Sequence, residues 1–284
     1  MFKKDIKFLD KTRKVIYNNI EDRRKEYFNM KDFNTYKLNL SKSLEDKLFF
    51  LKYINVDEYD FILDFGCGTG EVLRCVADAM DNKDASLVGY DTNPEMLDYA
   101  IAKTRYHYGN ISYVSDLKNL DLLMKGKQKT LIIFNSVLHE MSELAQRKVI
   151  GTLMPQFTSV VIRDMKRPLS NEPISNMTRK RVLAQVAPWQ AAMFESRWGK
   201  IKDKENLYRF FLMNEFVENF ETEVEEDYMS VLWSDITWRL ESGYNTVYQQ
   251  SFTLPYRKQQ VKKRFNHVMH DITHRKVIYT KKEK

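Results

Sequence analysis

The sequence predicts an open α/β sheet, mostly parallel and doubly wound, and three observations carry that expectation. From Phe61 onward, short apolar runs alternate with amphipathic segments of helical length, a rhythm that implies parallel strands joined by right-handed crossovers. Runs such as "TLIIF" are nearly unbroken Val/Ile/Leu stretches, as expected of strands covered on both faces. The first run, "FILDFGCGTGEVL", enters a turn with three glycines at alternate positions, where backbone is stripped for close approach. With 284 residues and 43% hydrophobic content, the chain can bury a substantial core.

Residues 1–55 read as a polar N-terminal helical extension, with "RKVIYNNIEDRRKEYFN" and "SLEDKLFFLKYI" as its helices. Residues 56–165 carry five expected strands, "FILDF", "SLVGYD", "ISYVSD", "TLIIFNS" and "SVVIRDM". After the first comes "EVLRCVADAM", with Val72, Leu73, Val76 and Met80 on one helical face. The second is followed by "NPEMLDYAIAKTRY", with Asn93 as N-cap and Pro94 at the first helical position. Ser142 is the expected cap of "MSELAQRKVIGTLMPQF". In residues 166–225 the alternation stops and three early prolines give way to helical patterns, which reads as an insertion. Residues 226–284 resume it: Tyr228, Leu232, Ile236 and Leu240 recur every four residues before Gly243, and "NTVYQQSFTLP" and "THRKVIYTKK" read as two last strands forming a hairpin.

Net charge is +7 and the pI about 9.1, an excess that permits an anionic partner without demanding one. Charge is unevenly placed: "NEFVENFETEVEEDY" is acidic, whereas "YRKQQVKKRF" and "THRKVIYTKKEK" are basic. Only Cys67 and Cys75 are present, which offers no disulfide framework or zinc cluster and places the protein in a reducing cytoplasm. No metal site is expected. No apolar run reaches the roughly 20 residues that cross a bilayer, and the charged start lacks a signal-peptide core.

Dinucleotide sites use G-x-G-x-x-G with pyrophosphate at the helix N-terminus. Here the spacing is G-x-G-x-G and Glu71 opens the helix. A carboxylate sits poorly beside a pyrophosphate, so a cationic or zwitterionic ligand fits better. With these residues, "LDFGCGTG" resembles the first motif of class I S-adenosylmethionine-dependent methyltransferases, and three later segments match in order. The resemblance implies a seven-stranded sheet and S-adenosyl-L-methionine as cofactor. It places Asp64, Gly66, Cys67, Gly68 and Gly70 around the cofactor, with Asp64 toward its ammonium. "LVGYDTNPEML" resembles the second motif, giving Asp91 the ribose hydroxyls, with Thr92 and Met96 beside it. "YVSDL" implies Asp116 at the adenine amine and Leu117 beside the ring, and "IIFNSVLHEM" implies Asn135 and Ser136 at the methionine portion.

Methyl transfer from a sulfonium is an in-line displacement, so the protein aligns the acceptor, excludes water and removes a proton where needed. His139 and Glu140 are the general-base candidates; the competing reading has His139 packed at the next helix and Glu140 in solvent. Asp164, at the end of the fifth strand, is a weaker candidate and reads equally as a structural acceptor for loop backbone. "NSVLHE" lacks the paired prolines and aromatic of DNA amino-methyltransferases, and no Pro-Cys pair is placed to attack cytosine. The insertion is expected to act as an acceptor-binding lid. Its Trp189, Phe194 and Trp198 follow the basic "MTRKRVLAQ", so they are either a base-stacking platform or the insertion's own core. The basic "YRKQQVKKRF" is either a hairpin tracking a nucleic-acid backbone or a surface helix. An RNA or nucleotide acceptor is therefore the first expectation. The alternatives are a small-molecule O- or N-methyltransferase, or a non-catalytic protein that binds cofactor or a partner. The oligomeric state is open.

Overall fold

The computed structural model describes residues 43–214, 220–270 and 272–283. The helix expected over "RKVIYNNIEDRRKEYFN" lies outside them. The described part of "SLEDKLFFLKYI" is helical over 43–47 and continues as a 3₁₀ turn, Phe49–Lys52.

Seven strands form one sheet: β1 (Phe61–Phe65), β2 (Ser86–Tyr90), β3 (Ile111–Val114), β4 (Thr130–Asn135), β5 (Ser159–Met165), β6 (Tyr244–Phe252) and β7 (His274–Lys281). Their order is β3-β2-β1-β4-β5-β7-β6. The first five pair in parallel, and β7 runs antiparallel between β5 and β6. Successive residues of a strand point to opposite faces, and each face has its own core. Phe61, Leu63, Phe65, Ile132, Phe134, Val160 and Ile162 enter one. Ile62, Leu131, Ile133 and Val161 enter the other, with Val72, Leu73 and Val76 from the helix after β1.

That helix is α1 (Glu71–Ala79); α2 (Pro94–Thr104) follows β2, and α3 (Glu143–Lys148) follows β4. The Asn93 side chain accepts from the backbone N–H of Glu95 and Met96, as an N-cap should. Ser142 likewise accepts from Ala145. The helical spacing after Ser142 does not hold throughout, because α3 relaxes into a π-turn, Val149–Leu153, and a 3₁₀ turn, Met154–Gln156. Gly151 weakens the helix there, and Pro155 has no N–H to continue it.

Between β5 and the final strands lie α4 (Asn176–Leu183), α5 (Pro188–Trp198) and α6 (Lys204–Met213). They build a third core around Phe194, Phe210 and Phe211. The four-residue spacing from Tyr228 suggested a helix start that the structure places later, at α7 (Trp233–Glu241). Tyr228 precedes it, its ring edge-on to His139 at 5.4 Å. The basic stretch expected as hairpin or surface helix is α8 (Pro255–Phe265), which connects β6 to β7 and buries Arg257, Val261 and Phe265. Among the described residues, no helix is long and apolar enough to cross a membrane.

The turn from β1 into α1 is closely packed. Gly66, Gly68 and Gly70 have φ of 77°, 50° and 74°. A Cβ on Gly66 would stand 2.5 Å from Val137 Cγ2, and one on Gly70 would stand 2.3 Å from the Tyr113 hydroxyl. Gly70→Ala is therefore expected to destabilise the fold by roughly 1–3 kcal/mol, from left-handed strain plus displacement of Tyr113. Urea unfolding checks this; an unchanged midpoint would show that the turn has slack.

Candidate functional site

Strand order reverses between β1 and β4, and ligands of open α/β sheets bind outside the strand carboxyl ends at such a point. The loops after β1, β2 and β4 meet there around one cavity. Gly66 and Cys67 N–H both donate to the Tyr90 carbonyl, at 2.7 and 2.9 Å, which fastens the glycine turn to the end of β2. The Asp91 carboxylate accepts from Gly68 N–H and from Asn93 N–H, each at 2.9 Å. One buried side chain thus orients both the glycine turn and the start of α2.

The cavity wall contains polar atoms that the described residues leave unsatisfied. Thr69 Oγ1, Glu71 Oε2 and both amide atoms of Asn135 are buried without a hydrogen-bond partner among the described residues, and all three residues line the cavity. Each such atom costs about 1–3 kcal/mol, so their concentration in one wall marks a site completed by a polar ligand. Ser136, beside Asn135, is held at φ 58°, a left-handed conformation that a non-glycine residue adopts only under local constraint.

Four carboxylates, those of Asp64, Glu71, Asp91 and Glu140, stand in the wall with the ammonium of Lys47. Burial pushes the Asp64 pKa up to about 7, with Lys47 opposing the shift and Asp91 reinforcing it. Desolvation brings Lys47 down to about 8, aided by Arg163 and opposed by Asp64, Glu71 and Glu140. A wall of this composition favours a cationic ligand.

Of the residues expected at the cofactor, Asp64, Gly66, Cys67, Gly68, Asp91, Met96, Asn135 and Ser136 line the cavity, and Glu140 joins them. Gly70 lies outside the wall, since it is the left-handed N-cap of α1 packed beneath Tyr113. Thr92 is outside it as well, with a buried, unpartnered hydroxyl. Asp116 does not reach the cavity. Its carboxylate accepts from Lys118 N–H at 3.0 Å and pairs with the Lys118 ammonium at 3.3 Å in a solvent-facing turn. Leu117 belongs to the core beneath the sheet. Sequence reasoning missed Lys47 and Leu44, which arrive from the segment before the core and carry no motif of their own. It also missed Glu71 as a wall residue, although its place at the first helical position was a visible signal.

His139 is turned away from the cavity. Its Nδ1 meets Asp164 Oδ1 at 2.6 Å, and its Nε2 lies 3.9 Å from Glu226 Oε2. Asp164 also accepts from the N–H groups of Val137, Leu138 and Met165, at 3.1, 2.7 and 2.7 Å. The pair therefore braces the loop that carries Glu140. Burial disfavours imidazolium, but the Asp164 carboxylate outweighs it and the His139 pKa is raised from 6.5. Burial likewise opposes ionisation of Asp164, yet His139 and the backbone donors hold its pKa below 3.8. A histidine raised in the folded state stabilises it fully below its unfolded pKa, and that stabilisation fades as pH climbs through the folded value. The thermal midpoint of wild type should accordingly exceed that of His139→Gln by more near about pH 6 than near about pH 9. A gap that widened toward alkaline pH would dismiss the charged pair.

Residues 62–155 match a family model described as a methyltransferase domain. No curated protein sequence matches the chain. Among solved structures, the chain is similar to an S-adenosylmethionine-dependent methyltransferase from Anabaena variabilis, with a TM-score of 0.51, 12% identity and 86% of each chain covered. It is also similar to the plantazolicin methyltransferase BamL, bound to a triazolic desmethyl analogue and S-adenosylhomocysteine, at TM-score 0.49 and 12% identity over 95% of this chain and 99% of that one. The N-methyltransferase NodS from Bradyrhizobium japonicum, also with S-adenosylhomocysteine, gives TM-score 0.42 and 12% identity over 96% and 99%. At 12% identity the likeness to the Anabaena variabilis protein is one of fold, and the matched domain spans the three loops that build the cavity. The chain thus carries a methyltransferase domain over residues 62–155, on a sheet whose fold is that of the S-adenosylmethionine-dependent methyltransferase from Anabaena variabilis.

Proposed function

We propose that the protein methylates a small molecule, with S-adenosylmethionine seated in the cavity and the acceptor approaching at the carboxyl ends of β4 and β5. The observation that carries this reading is the charge of the wall, four carboxylates to one ammonium among the described residues. A sulfonium cofactor suits that field, whereas a polyphosphate acceptor would be repelled at the point of reaction.

Features that favoured RNA in the sequence are spent elsewhere. Phe194 is wholly buried in the insertion's core. Trp198 donates its Nε1–H to the Val224 carbonyl at 2.6 Å and is covered by the guanidinium groups of Arg197 and Arg209 at 4.7 and 4.5 Å. Trp189 is 47% exposed, but its ring packs edge-on against Phe220. A stacking platform needs several open aromatic faces along a basic groove, and among the described residues the insertion presents one half-exposed ring, Trp189. On α8, Lys258, Lys262 and Lys263 face solvent, and none of them lines the cofactor cavity.

In this reading S-adenosylmethionine supplies a methyl group already activated on sulfur. Asp91 accepts from the ribose hydroxyls, and Asp64 and Glu71 face the ammonium. Asn135 and Ser136 meet the methionyl portion, with Met96 and the glycine turn against the nucleoside. Asp116 and Leu117 stay outside the binding set, because one is committed to its turn and the other to the core. Glu140 is placed to take or hold the acceptor's proton, while His139 and Asp164 fix the loop beneath it.

Asp91→Ala is expected to weaken S-adenosylhomocysteine binding by about 2–3 kcal/mol; calorimetry showing wild-type affinity would remove it from the site. Glu140→Gln should lower turnover by about 10²-fold with cofactor affinity nearly intact, and wild-type turnover would exclude it as base. Methyl-labelled cofactor incubated with fractionated extract tests the acceptor class. Label is expected in a low-mass fraction that survives ribonuclease, and counts released by ribonuclease would overturn the small-molecule reading.

A further inference from the structure

We propose that Lys47 is the counter-ion for the carboxylate at the methionyl end of the cofactor, and that Asp46 is the positioning residue that holds it there. The inference rests on the reading that S-adenosylmethionine occupies the cavity, and it adds a contact from outside the motif-bearing core.

S-Adenosylmethionine carries two positive groups, sulfonium and ammonium, and one negative group, its carboxylate. The described wall is the inverse, with Asp64, Glu71, Asp91 and Glu140 against Lys47. Three of those carboxylates, Asp64, Glu71 and Glu140, act on Lys47 electrostatically and line the same cavity. A ligand carboxylate entering there meets repulsion from every charged wall residue except Lys47. Charge pairing at short range in a partly desolvated site is strong enough to set the ligand's orientation.

Lys47 belongs to the helical residues 43–47, ahead of the first strand. What fastens that segment is its neighbour. Asp46 accepts from Arg163 Nε at 2.7 Å and from Lys276 Nζ at 3.1 Å, joining the segment to β5 and β7 at once. The Arg163 side chain is only 3% exposed. Its Nη1 donates to Ser136 Oγ at 2.6 Å, on the residue held at positive φ in the facing part of the wall. One buried guanidinium therefore ties the segment that delivers Lys47 to the strand end that delivers Asn135 and Ser136. Adjacent residues of a helix point about 100° apart, which lets Asp46 grip the sheet while Lys47 reaches the cavity.

Two ligands separate this role from a general support of the wall. S-Adenosylhomocysteine has the amino-acid end; 5′-methylthioadenosine lacks it. By calorimetry, Lys47→Met is expected to weaken S-adenosylhomocysteine roughly 10–100-fold and to change 5′-methylthioadenosine by less than about twofold. Asp46→Asn should show the same selectivity at smaller size, and the double variant should lose little beyond Lys47→Met, because the two residues act as one unit. Should Asp46→Asn fold poorly, Lys276→Met removes a single clamp and is expected to give the same selective loss, reduced again. Equal losses for both ligands, or additive losses in the double variant, would overturn the proposal while leaving the cavity's occupant intact. Wild type binding neither ligand would overturn the cofactor reading and this inference together.

Discussion

Gly66, Gly68 and Gly70 all adopt positive φ between β1 and α1, and protein atoms close the space around two of them. Val137, from the loop after β4, abuts Gly66; Tyr113, from β3, abuts Gly70 and also Gly89 of β2. The glycines thus serve two kinds of close approach. Some of the stripped backbone faces the cavity, and some lets neighbouring strands bring their own side chains up against the turn. Because the Tyr90 carbonyl and the Asp91 carboxylate take the turn's N–H groups, the ends of β1, β2 and β4 hold one geometry. A cofactor wall made from three loops needs such a common anchor.

The wall is electrostatically expensive when nothing fills it. An aspartate raised toward 7 in the folded state, as Asp64 is, loses stabilisation relative to the unfolded chain as pH rises from 3.8 toward 7. A lysine lowered to about 8, as Lys47 is, carries its penalty at every pH below that value. Near neutrality both penalties are present together. A ligand with its own cations and carboxylate relieves each of them, so the same groups that destabilise the open site favour the bound one. This is how a binding site draws on the stability of the rest of the fold.

Much of this architecture was legible in the sequence because local pattern specifies it. Unbroken apolar runs announced the buried strands, and Asn93 and Ser142 capped helices where their side chains predicted. Motif residues Asp64, Asp91 and Asn135 reached one cavity because each ends a strand on the same edge of the sheet. Other features depend on contacts distant in sequence. Nothing near His139 indicates that Asp164, 25 residues on, takes its Nδ1. Lys47 reads as one more charge on an amphipathic turn until Arg163 and Lys276 fix its neighbour. Helical spacing could not reveal that Tyr228 leaves its series to meet His139.

The insertion and the sheet edge at the ends of β4 and β5 are joined through the segment just before α7. Tyr228 donates its hydroxyl to Glu223, and Ser230 Oγ donates to the His139 carbonyl at 3.1 Å. Gln146 Nε2 bridges the carbonyls of Met141 and Ser230, at 3.1 and 3.2 Å, and Trp233 Nε1–H closes on the Met165 carbonyl at 2.6 Å. These bonds bind residues 228–233 to the loops after β4 and β5. His139 and its Asp164 brace therefore stand between this segment and the loop that carries Glu140.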